Sequence, residues 1–274
     1  MFDYTPYLRT SRFPHIWCTG CGNGIVTKAL LRAVEHSGLD RDRVAVVSGI
    51  GCSGRLTVYV DFDTLHTTHG RALAFATGLK LARPELTVIV ITGDGDGLAI
   101  GGNHLIHAAR RNLDLTCILF NNQTYGMTGG QVAPTTAASR LTSTSPDGNI
   151  EPAFDACALA KVAGASFVAR GSTYHATGLE TLLAQGIAHA GFAFVEVLTD
   201  CPELFGRHNK LGDGGRMLLR QREVTVPEAK ARRMAPEDLE GKTVIGILHR
   251  EERAEFAGEY ARLRARLTGR AAAS

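Results

Sequence analysis

The stretch LTVIVITGDGDGLAIGGNHLIHAARRNLDLTCILFNN, residues 86–122, decides the fold. It contains two apolar, β-branched runs, 86–92 and 115–120, separated by a segment with helical spacing that begins at Gly101. Such runs are typical of buried parallel strands, and the intervening segment is typical of a crossover helix. The pattern therefore predicts one strand–helix–strand unit of an α/β sheet.

The same alternation extends to both sides of this unit. Further strands are predicted at 45–49 and 192–198, and further helices begin near Gly24, Arg71, Glu151 and Thr177. Strands that alternate with helices predict an α/β fold with a doubly wound, mostly parallel sheet, which binds ligands beyond the carboxyl ends of its strands.

Segments without a sustained period are expected to be irregular. The stretch 129–152, rich in Gly, Ser, Thr and Pro, predicts a long loop, and 200–222 predicts another irregular segment. We expect residues 1–222 to form the ligand-binding domain. Residues 223–274 would be a C-terminal extension, a helical tail whose last helix, REERAEFAGEYARLRARL, is amphipathic.

Composition excludes several classes of function. At 274 residues and 44% hydrophobic content, the chain can bury the core of one large α/β domain. Its 30 basic and 27 acidic residues leave a charge of +3, too small to indicate nucleic acid as the main partner. No apolar run approaches the ~20 residues that span a bilayer. We therefore expect a soluble, cytoplasmic protein without a membrane partner.

Polar groups directly follow both strands of the opening stretch. Gly93-Asp94-Gly95 ends the first strand and Asn121-Asn122 ends the second, with 25 residues between the two motifs. In a right-handed crossover both strands end at the same sheet edge, so Asp94 and Asn122 are expected to converge. Carboxylate and amide oxygens suit Mg²⁺ or Ca²⁺, and the glycines allow close approach of a phosphate group. The alternative is two ordinary turns.

Four of the six cysteines are candidate metal ligands. They are Cys18 and Cys21 in a C-x-x-C motif, Cys52 in GIGCSG and Cys201 in DCPE. In a reducing compartment, clustered cysteines indicate metal or redox groups rather than disulfides. Four thiolates suit zinc or an iron–sulfur cluster, and the spacing leaves both open. Cys117 and Cys157 lie inside apolar segments and are expected in the core.

The spacing of GDG and NN resembles the signature of thiamine-diphosphate enzymes. Together with WCTGCGNG, GIGCSGR, TTHGRALAFATGLKLARP, NNQTYGMTGGQVAPTT and VLTDCPE, it resembles the β subunit of 2-oxoacid:ferredoxin oxidoreductases over roughly residues 10–210, most of all the 2-oxoglutarate type. The resemblance implies a domain that binds the diphosphate half of thiamine diphosphate. Mg²⁺ would be held by the side chains of Asp94 and Asn122 and the backbone carbonyl of Thr124. The four candidate cysteines would hold one four-iron, four-sulfur (4Fe-4S) cluster.

The same resemblance implies an activity and partners. The activity is oxidative decarboxylation of 2-oxoglutarate with coenzyme A to succinyl-CoA and CO₂, with electrons passing through the cluster to ferredoxin; the reaction is reversible in this family. Thiamine enzymes take an activating glutamate from a second domain that is not evident here. The resemblance therefore implies an α subunit that completes the site, in an αβ pair that dimerises.

Further residues are assigned to the site as expectations. The predicted cofactor-binding residues are Cys52, Ser53, His69, Gly93, Asp94, Gly95, Asp96, Asn122, Thr124 and Tyr125. The catalytic candidates are Arg55, whose guanidinium could pair with the distal carboxylate of 2-oxoglutarate, and His69. A surface or structural role is the alternative for Arg55, and His66 is a weaker candidate to assist it.

Rival interpretations remain at this stage. The same chemistry could act on pyruvate or another 2-oxoacid. A non-oxidative thiamine decarboxylase or carboligase shares GDG and NN, but such chains usually contain both thiamine domains and need no cysteine quartet. From another class, the chain could be a non-catalytic, zinc-binding α/β interaction module; zinc is colourless, whereas iron–sulfur proteins are brown.

Overall fold

An eight-stranded sheet runs through the structure, a computed structural model that describes residues 2–269. In chain order the strands are β1 Val44–Ser48, β2 Asp63–His66, β3 Thr87–Gly93, β4 Leu115–Asn121, β5 Phe167–Ser172, β6 Phe192–Leu198, β7 Thr225–Pro227 and β8 Thr243–Arg250. Across the sheet their order is β2-β1-β3-β4-β6-β5-β8-β7. All strand pairs among β1 to β6 are parallel, and β8 pairs antiparallel with β5. The predicted α/β fold with a mostly parallel sheet is confirmed.

Helices cover both faces of this sheet. They are α1 Asn23–His36, α2 Leu56–Tyr59, α3 Ala72–Ala82, α4 Gly102–Arg110, α5 Ala156–Val162, α6 Ala176–Ile187, α7 Gly214–Val224, α8 Glu228–Ala231 and α9 Phe256–Thr268. Helices α1, α2 and α6 contribute to the apolar core on one face, and α3, α4 and α5 contribute to the core on the other. Every residue of β4 is buried between the two layers, which explains why its sequence reads as a continuous apolar run.

The chain leaves neighbouring strands β1 and β3 in opposite directions. After β1 it crosses one face through α2 to β2, and after β3 it crosses the other face through α4 to β4. The carboxyl ends of β1 and β3 therefore border a topological switch point, where open α/β sheets usually bind ligands. A π-helical turn, Gly95–Ile100, follows β3 at this edge. Turns of this type are frequent at functional sites.

Several predicted boundaries change in the structure. Helix α5 begins at Ala156 rather than near Glu151, because the Asp155 side chain accepts hydrogen bonds from the first-turn backbone N–H groups of Cys157 and Ala158. The stretch 200–222 is not irregular, since it contains a π-helical turn, Pro202–Gly206, and most of α7. The sequence pattern did not predict β2, β5, β7 or β8.

The C-terminal segment contains strands as well as helices. Strand β8 pairs with β5, so the predicted last helix does not begin at Arg250 but at Phe256, where Glu255 caps it. The boundary between residues 222 and 223 stays a prediction. Residues 270–274, the end of the predicted extension, lie outside the described residues.

Among residues 2–269, none of the helices has the length and apolar character that crossing a lipid bilayer requires.

Candidate active site

A cavity of about 500 Å³ opens at the carboxyl ends of β1, β3 and β4. We call it the switch-point cavity. Its wall includes all ten predicted cofactor-binding residues: Cys52, Ser53, His69, Gly93, Asp94, Gly95, Asp96, Asn122, Thr124 and Tyr125. The structure thus brings these residues together from four separate loops. Their individual contacts with a cofactor stay predictions.

Asp94 lies at the end of β3 and is 2% exposed. Its Oδ1 accepts a hydrogen bond from the backbone N–H of Gly95 at 2.8 Å, and its Oδ2 accepts one from the hydroxyl of Thr135 at 2.6 Å. Burial raises the pKa of this carboxyl group to about 6. No salt bridge to Asp94 occurs within residues 2–269. A buried carboxylate without a cationic partner fits a site that takes up a metal ion.

The turn after β4 is held in a strained conformation. Gln123 has a φ of 59°, in the left-handed region that non-glycine residues seldom adopt. Its backbone N–H donates to the Asn121 side-chain oxygen at 3.2 Å, and the Thr124 N–H donates to Oδ1 of Asn122 at 3.2 Å. Two consecutive asparagine side chains therefore fix the backbone of the two residues that follow the cavity residue Asn122.

A buried ion pair supports this turn from below. Oε1 of Glu196, on β6, accepts from Nδ2 of Asn121 at 2.6 Å, and Oε2 lies 2.6 Å from Nε of Arg170 on β5. The two charged residues are direct cross-strand neighbours. Because Glu196 is 2% exposed, its charge is stabilised by these contacts rather than by water.

The Asp96 carboxylate connects three loops of the site. Oδ1 accepts from the backbone N–H groups of Ile50 at 3.1 Å and Gly70 at 2.7 Å. It also lies 2.9 Å from Nδ1 of His69, and Oδ2 accepts from the Thr92 hydroxyl at 2.6 Å. Both oxygens are thus used by protein donors. The structure indicates that Asp96 positions the loops around the cavity.

Gly49 is constrained by this carboxylate. A Cβ atom at residue 49 would come closer than 3.0 Å to the Asp96 side chain. We expect Gly49→Ala to lower the free energy of unfolding by at least about 1–3 kcal/mol, because the overlap must push Asp96 away from its donors. The measurement is urea denaturation of the chain.

The matched control is Gly78→Ala. Gly78 is exposed in α3, and a Cβ there would meet no atom within 4 Å. This variant should gain about 0.5–1 kcal/mol, since alanine favours a helix more than glycine does. Equal urea midpoints for Gly49→Ala and the unaltered chain would contradict the packing argument.

His69 and Tyr125 stand next to each other on the cavity wall, with ring centroids 6.1 Å apart. With Nδ1 of His69 directed to Asp96, Nε2 is the ring nitrogen left for a ligand. The Tyr125 hydroxyl donates to the carbonyl of Gly95 at 3.1 Å, and its ring occupies the space where a residue 95 side chain would lie. Residue 95 is therefore restricted to glycine by the aromatic ring.

The four candidate cysteines are brought into one cluster beside the cavity. Burial first, and the charges of Cys201, Cys52 and Cys18 in addition, raise the pKa of the Cys21 thiol to about 12. Burial likewise raises the pKa of Cys52 to about 11. Burial also raises the pKa of Cys201, and three thiols that disfavour ionisation together fit a site where a cationic metal centre supplies the compensating charge.

The cysteine cluster adjoins the cavity. Cys52 is itself part of the cavity wall. A Cβ on Gly126, the residue after Tyr125, would lie 3.5 Å from Sγ of Cys52 and 3.6 Å from Sγ of Cys201. The backbone at Gly126, itself part of the cavity wall, therefore lies close to both sulfur atoms. Cys117 and Cys157 lie in the core as predicted, 1% and 3% exposed.

The sulfur atoms of the four cluster cysteines do not form a compact set of metal ligands in the described chain. Among residues 2–269, the one group of three or more candidate ligand atoms within 4.8 Å of one another is Asp155, Cys157 and Glu196. Arg170 already bonds both carboxylates of that group, with Nη2 2.6 Å from Oδ1 of Asp155, so a guanidinium takes the place of a metal ion there. No three of the four cluster sulfurs approach one another this closely.

Two sequence candidates do not reach the cavity wall. Arg55 lies one turn beyond Cys52, and its Nε is buried without a hydrogen-bond partner within the described residues. His66 lies near Arg55. Burial first and the positive charge of Arg55 second lower the pKa of His66. Contact of Arg55 with a substrate carboxylate therefore stays a prediction.

Two further residues of the site were missed by the sequence analysis. Asn23, at the start of α1, lines the cavity, and Thr135 reaches Asp94 from the long loop. The sequence offered a signal for Thr135, because the long loop that contains this residue follows closely after the NN motif. Asn23 gave no signal of its own beyond its position after the C-x-x-C motif.

Comparison with known proteins adds independent findings. The family model of the C-terminal TPP-binding domain of thiamine pyrophosphate enzymes matches residues 49–197. The chain is 51% identical to the 2-oxoglutarate synthase subunit KorB of Methanothermobacter marburgensis over 243 residues, 89% of this chain and 85% of that protein. It is 46% identical to the 2-oxoacid:ferredoxin oxidoreductase 2, subunit beta, of Aeropyrum pernix over 186 residues, 68% of this chain and 60% of that protein.

A solved structure is also similar. It is the 2-oxoglutarate:ferredoxin oxidoreductase from Magnetococcus marinus with 2-oxoglutarate, coenzyme A and succinyl-CoA bound. The match has a TM-score of 0.87 and 32% sequence identity, and it covers 100% of this chain and 93% of that chain.

Proposed function

This chain belongs to the family of 2-oxoacid:ferredoxin oxidoreductase β subunits, and from that membership we propose that it acts on 2-oxoglutarate. The reaction is 2-oxoglutarate + coenzyme A + 2 oxidised ferredoxin → succinyl-CoA + CO₂ + 2 reduced ferredoxin + H⁺. The observation that carries the proposal is the switch-point cavity, whose wall joins the Asp94–Asn122 pair to Cys52 of the cysteine cluster. A cofactor bound in such a site would lie beside an electron acceptor held by the cysteines.

Asp94, Asn122 and the carbonyl of Thr124 would hold Mg²⁺, and the metal would hold the diphosphate of thiamine diphosphate. The buried, unneutralised carboxylate of Asp94 supports this assignment. When bound, the cofactor supplies the electron sink for loss of CO₂ from the 2-oxoacid. Asp96 holds the surrounding loops in place through its hydrogen bonds, and it orients His69 so that Nε2 is available to the ligand.

Cys18, Cys21, Cys52 and Cys201 would hold one 4Fe-4S cluster rather than zinc. One tetrahedral zinc ion with bonds of about 2.3 Å places its sulfur ligands about 3.8 Å apart. No three of the four sulfurs lie within 4.8 Å of one another in the described chain, so they do not form the compact set that one zinc ion requires. A larger centre fits that spacing. Its position behind Gly126 would give electrons a short path from the cavity.

An α subunit would close the cavity. Ile50 and Met127 belong to the cavity wall, yet 41% and 39% of their surfaces are exposed. Apolar side chains at the mouth of a cavity favour burial by a partner chain. The proposed assembly is an αβ pair that dimerises, with ferredoxin as the external electron acceptor.

The test is dye reduction by the αβ complex under anaerobic conditions. We expect viologen reduction that requires both thiamine diphosphate and coenzyme A, with a higher kcat/KM for 2-oxoglutarate than for pyruvate. Thiamine-free complex is the matched control. A preference for pyruvate would contradict the substrate, and an iron-replete, thiamine-loaded complex that reduces no dye with either acid would contradict the oxidoreductase activity.

A further inference from the structure

An amide group without a partner lies in the wall of the switch-point cavity. Asn23 is 2% exposed, and its Nδ2 is buried and makes no hydrogen bond within residues 2–269. Leaving a buried donor unpaired is costly, so native proteins usually provide it with an acceptor. The cavity is the place from which an acceptor can come.

The location of Asn23 narrows the choice of acceptor. Asn23 follows the C-x-x-C motif at the first position of α1, and its backbone N–H is near enough to the Cys21 thiol to lower the pKa of that group. Its side chain therefore belongs to the cysteine side of the wall, together with Cys52. A ligand whose diphosphate is bound at Asp94 and Asn122 would direct its reacting part toward this side, because electrons must pass to the cysteine cluster.

We propose that Asn23 is a substrate-binding residue whose Nδ2 donates a hydrogen bond to an oxygen of the 2-oxoacid. The inference rests on the proposed function and extends it to a residue that the motifs did not assign. A carboxylate or oxo oxygen is a strong acceptor for an amide N–H, and sulfur is a weak one. A neutral donor also binds the acid without adding charge to the buried wall.

The test uses the αβ complex with the variants Asn23→Asp and Asn23→Ala. Asn23→Asp keeps the size of the side chain but replaces the donor with an anion that repels a carboxylate. We expect the Kd of N-oxalylglycine, an unreactive analogue of 2-oxoglutarate, to rise roughly 10- to 100-fold in the thiamine-loaded complex. KM for 2-oxoglutarate should rise with it. Thiamine diphosphate affinity and the electron paramagnetic resonance spectrum of the reduced cluster should stay unchanged.

Thr27→Val is the matched control. Thr27 lies one turn further along α1, and its hydroxyl donates to the backbone carbonyl of Asn23 at 2.8 Å. The variant therefore disturbs the same helical turn without changing the cavity wall. It should bind N-oxalylglycine as the unaltered complex does.

Unchanged analogue affinity in both Asn23 variants would overturn the inference. A weaker thiamine diphosphate affinity, or an altered cluster spectrum with normal analogue binding, would also overturn it, because the amide would then serve the cofactor or the cluster. Asn23→Ala decides the question if the aspartate variant does not assemble. Failure of the proposed function is a separate outcome, since the unaltered complex would then oxidise no 2-oxoacid.

Discussion

Replacing Asp94 with asparagine is expected to weaken the binding of thiamine diphosphate with Mg²⁺ roughly a hundred- to several thousandfold, while the chain stays folded. Loss of one charge from a buried ionic contact costs about 3–5 kcal/mol, which corresponds to this change in affinity. The variant keeps the shape of the side chain. The contacts with the Gly95 N–H and the Thr135 hydroxyl can be retained, since an amide can accept from the first and donate to the second.

The same substitution should not destabilise the unliganded chain. Burial raises the pKa of Asp94 from 3.8 to about 6, so the ionised carboxylate opposes folding at pH 7. Asparagine carries no such cost, and the urea midpoint should be equal or higher. Calorimetric titration of thiamine diphosphate in excess Mg²⁺ gives the affinity.

Asp114→Asn provides the control for Asp94→Asn. Asp114 precedes β4 and pairs with Lys80, with 2.6 Å between Nζ and Oδ2, and it is not part of the cavity wall. This variant should bind thiamine diphosphate normally despite the loss of an ion pair. Normal affinity in Asp94→Asn as well would show that Asp94 is not a metal ligand.

Replacing Cys201 with serine is expected to remove most of the iron from the purified complex and to reduce dye reduction to background. A 4Fe-4S cluster requires a thiolate at each of its four corners in the usual arrangement, and a hydroxyl is a poor substitute for that soft ligand. The sulfur atoms of Cys201 and Cys52 both lie close to Gly126. The serine substitution therefore removes a thiolate on the side of the cluster next to the cavity. Iron and sulfide analysis with the visible absorbance gives the result.

Cys117→Ala is the matched cysteine control. Cys117 lies inside β4 and is 1% exposed, so the variant tests the loss of a thiol from the core. Its iron content should equal that of the unaltered complex. If Cys201→Ser retained a full complement of iron, the assignment of Cys201 as a ligand would be wrong. Zinc in place of iron in both proteins would contradict the cluster itself.

Much of the site could be predicted because its chemistry follows strand ends. Apolar runs locate β1, β3, β4 and β6, and in a parallel sheet the residues just after such strands meet at one edge. Asp94 and Asn122 follow β3 and β4, and the structure brings both to one cavity wall, as this rule predicts. The cysteines could be grouped by residue type alone, since few roles other than metal binding use four thiols in irregular segments of one chain.

Elements that depend on a partner elsewhere in the chain were not predictable. Strand β5 contains Arg170, which looks like a surface residue until its cross-strand neighbour Glu196 is known. Helix α7 begins with two glycines, which disfavour a helix, but Asp213 caps it and Gln221 is buried against Thr173. In each case a long-range contact outweighs the local preference.

The sequence by itself determined the parallel α/β fold, the meeting of Asp94 and Asn122 at the strand ends and the choice of four cysteines outside the core, because each follows from periodicity, residue type or short-range order. Tertiary structure decided which side chains enter the cavity. It left Arg55 outside the wall and brought Asn23 into it, although the sequence favoured the arginine. The direction of a side chain is set by the packing of segments far apart in the chain, and a single sequence carries no direct signal of that packing.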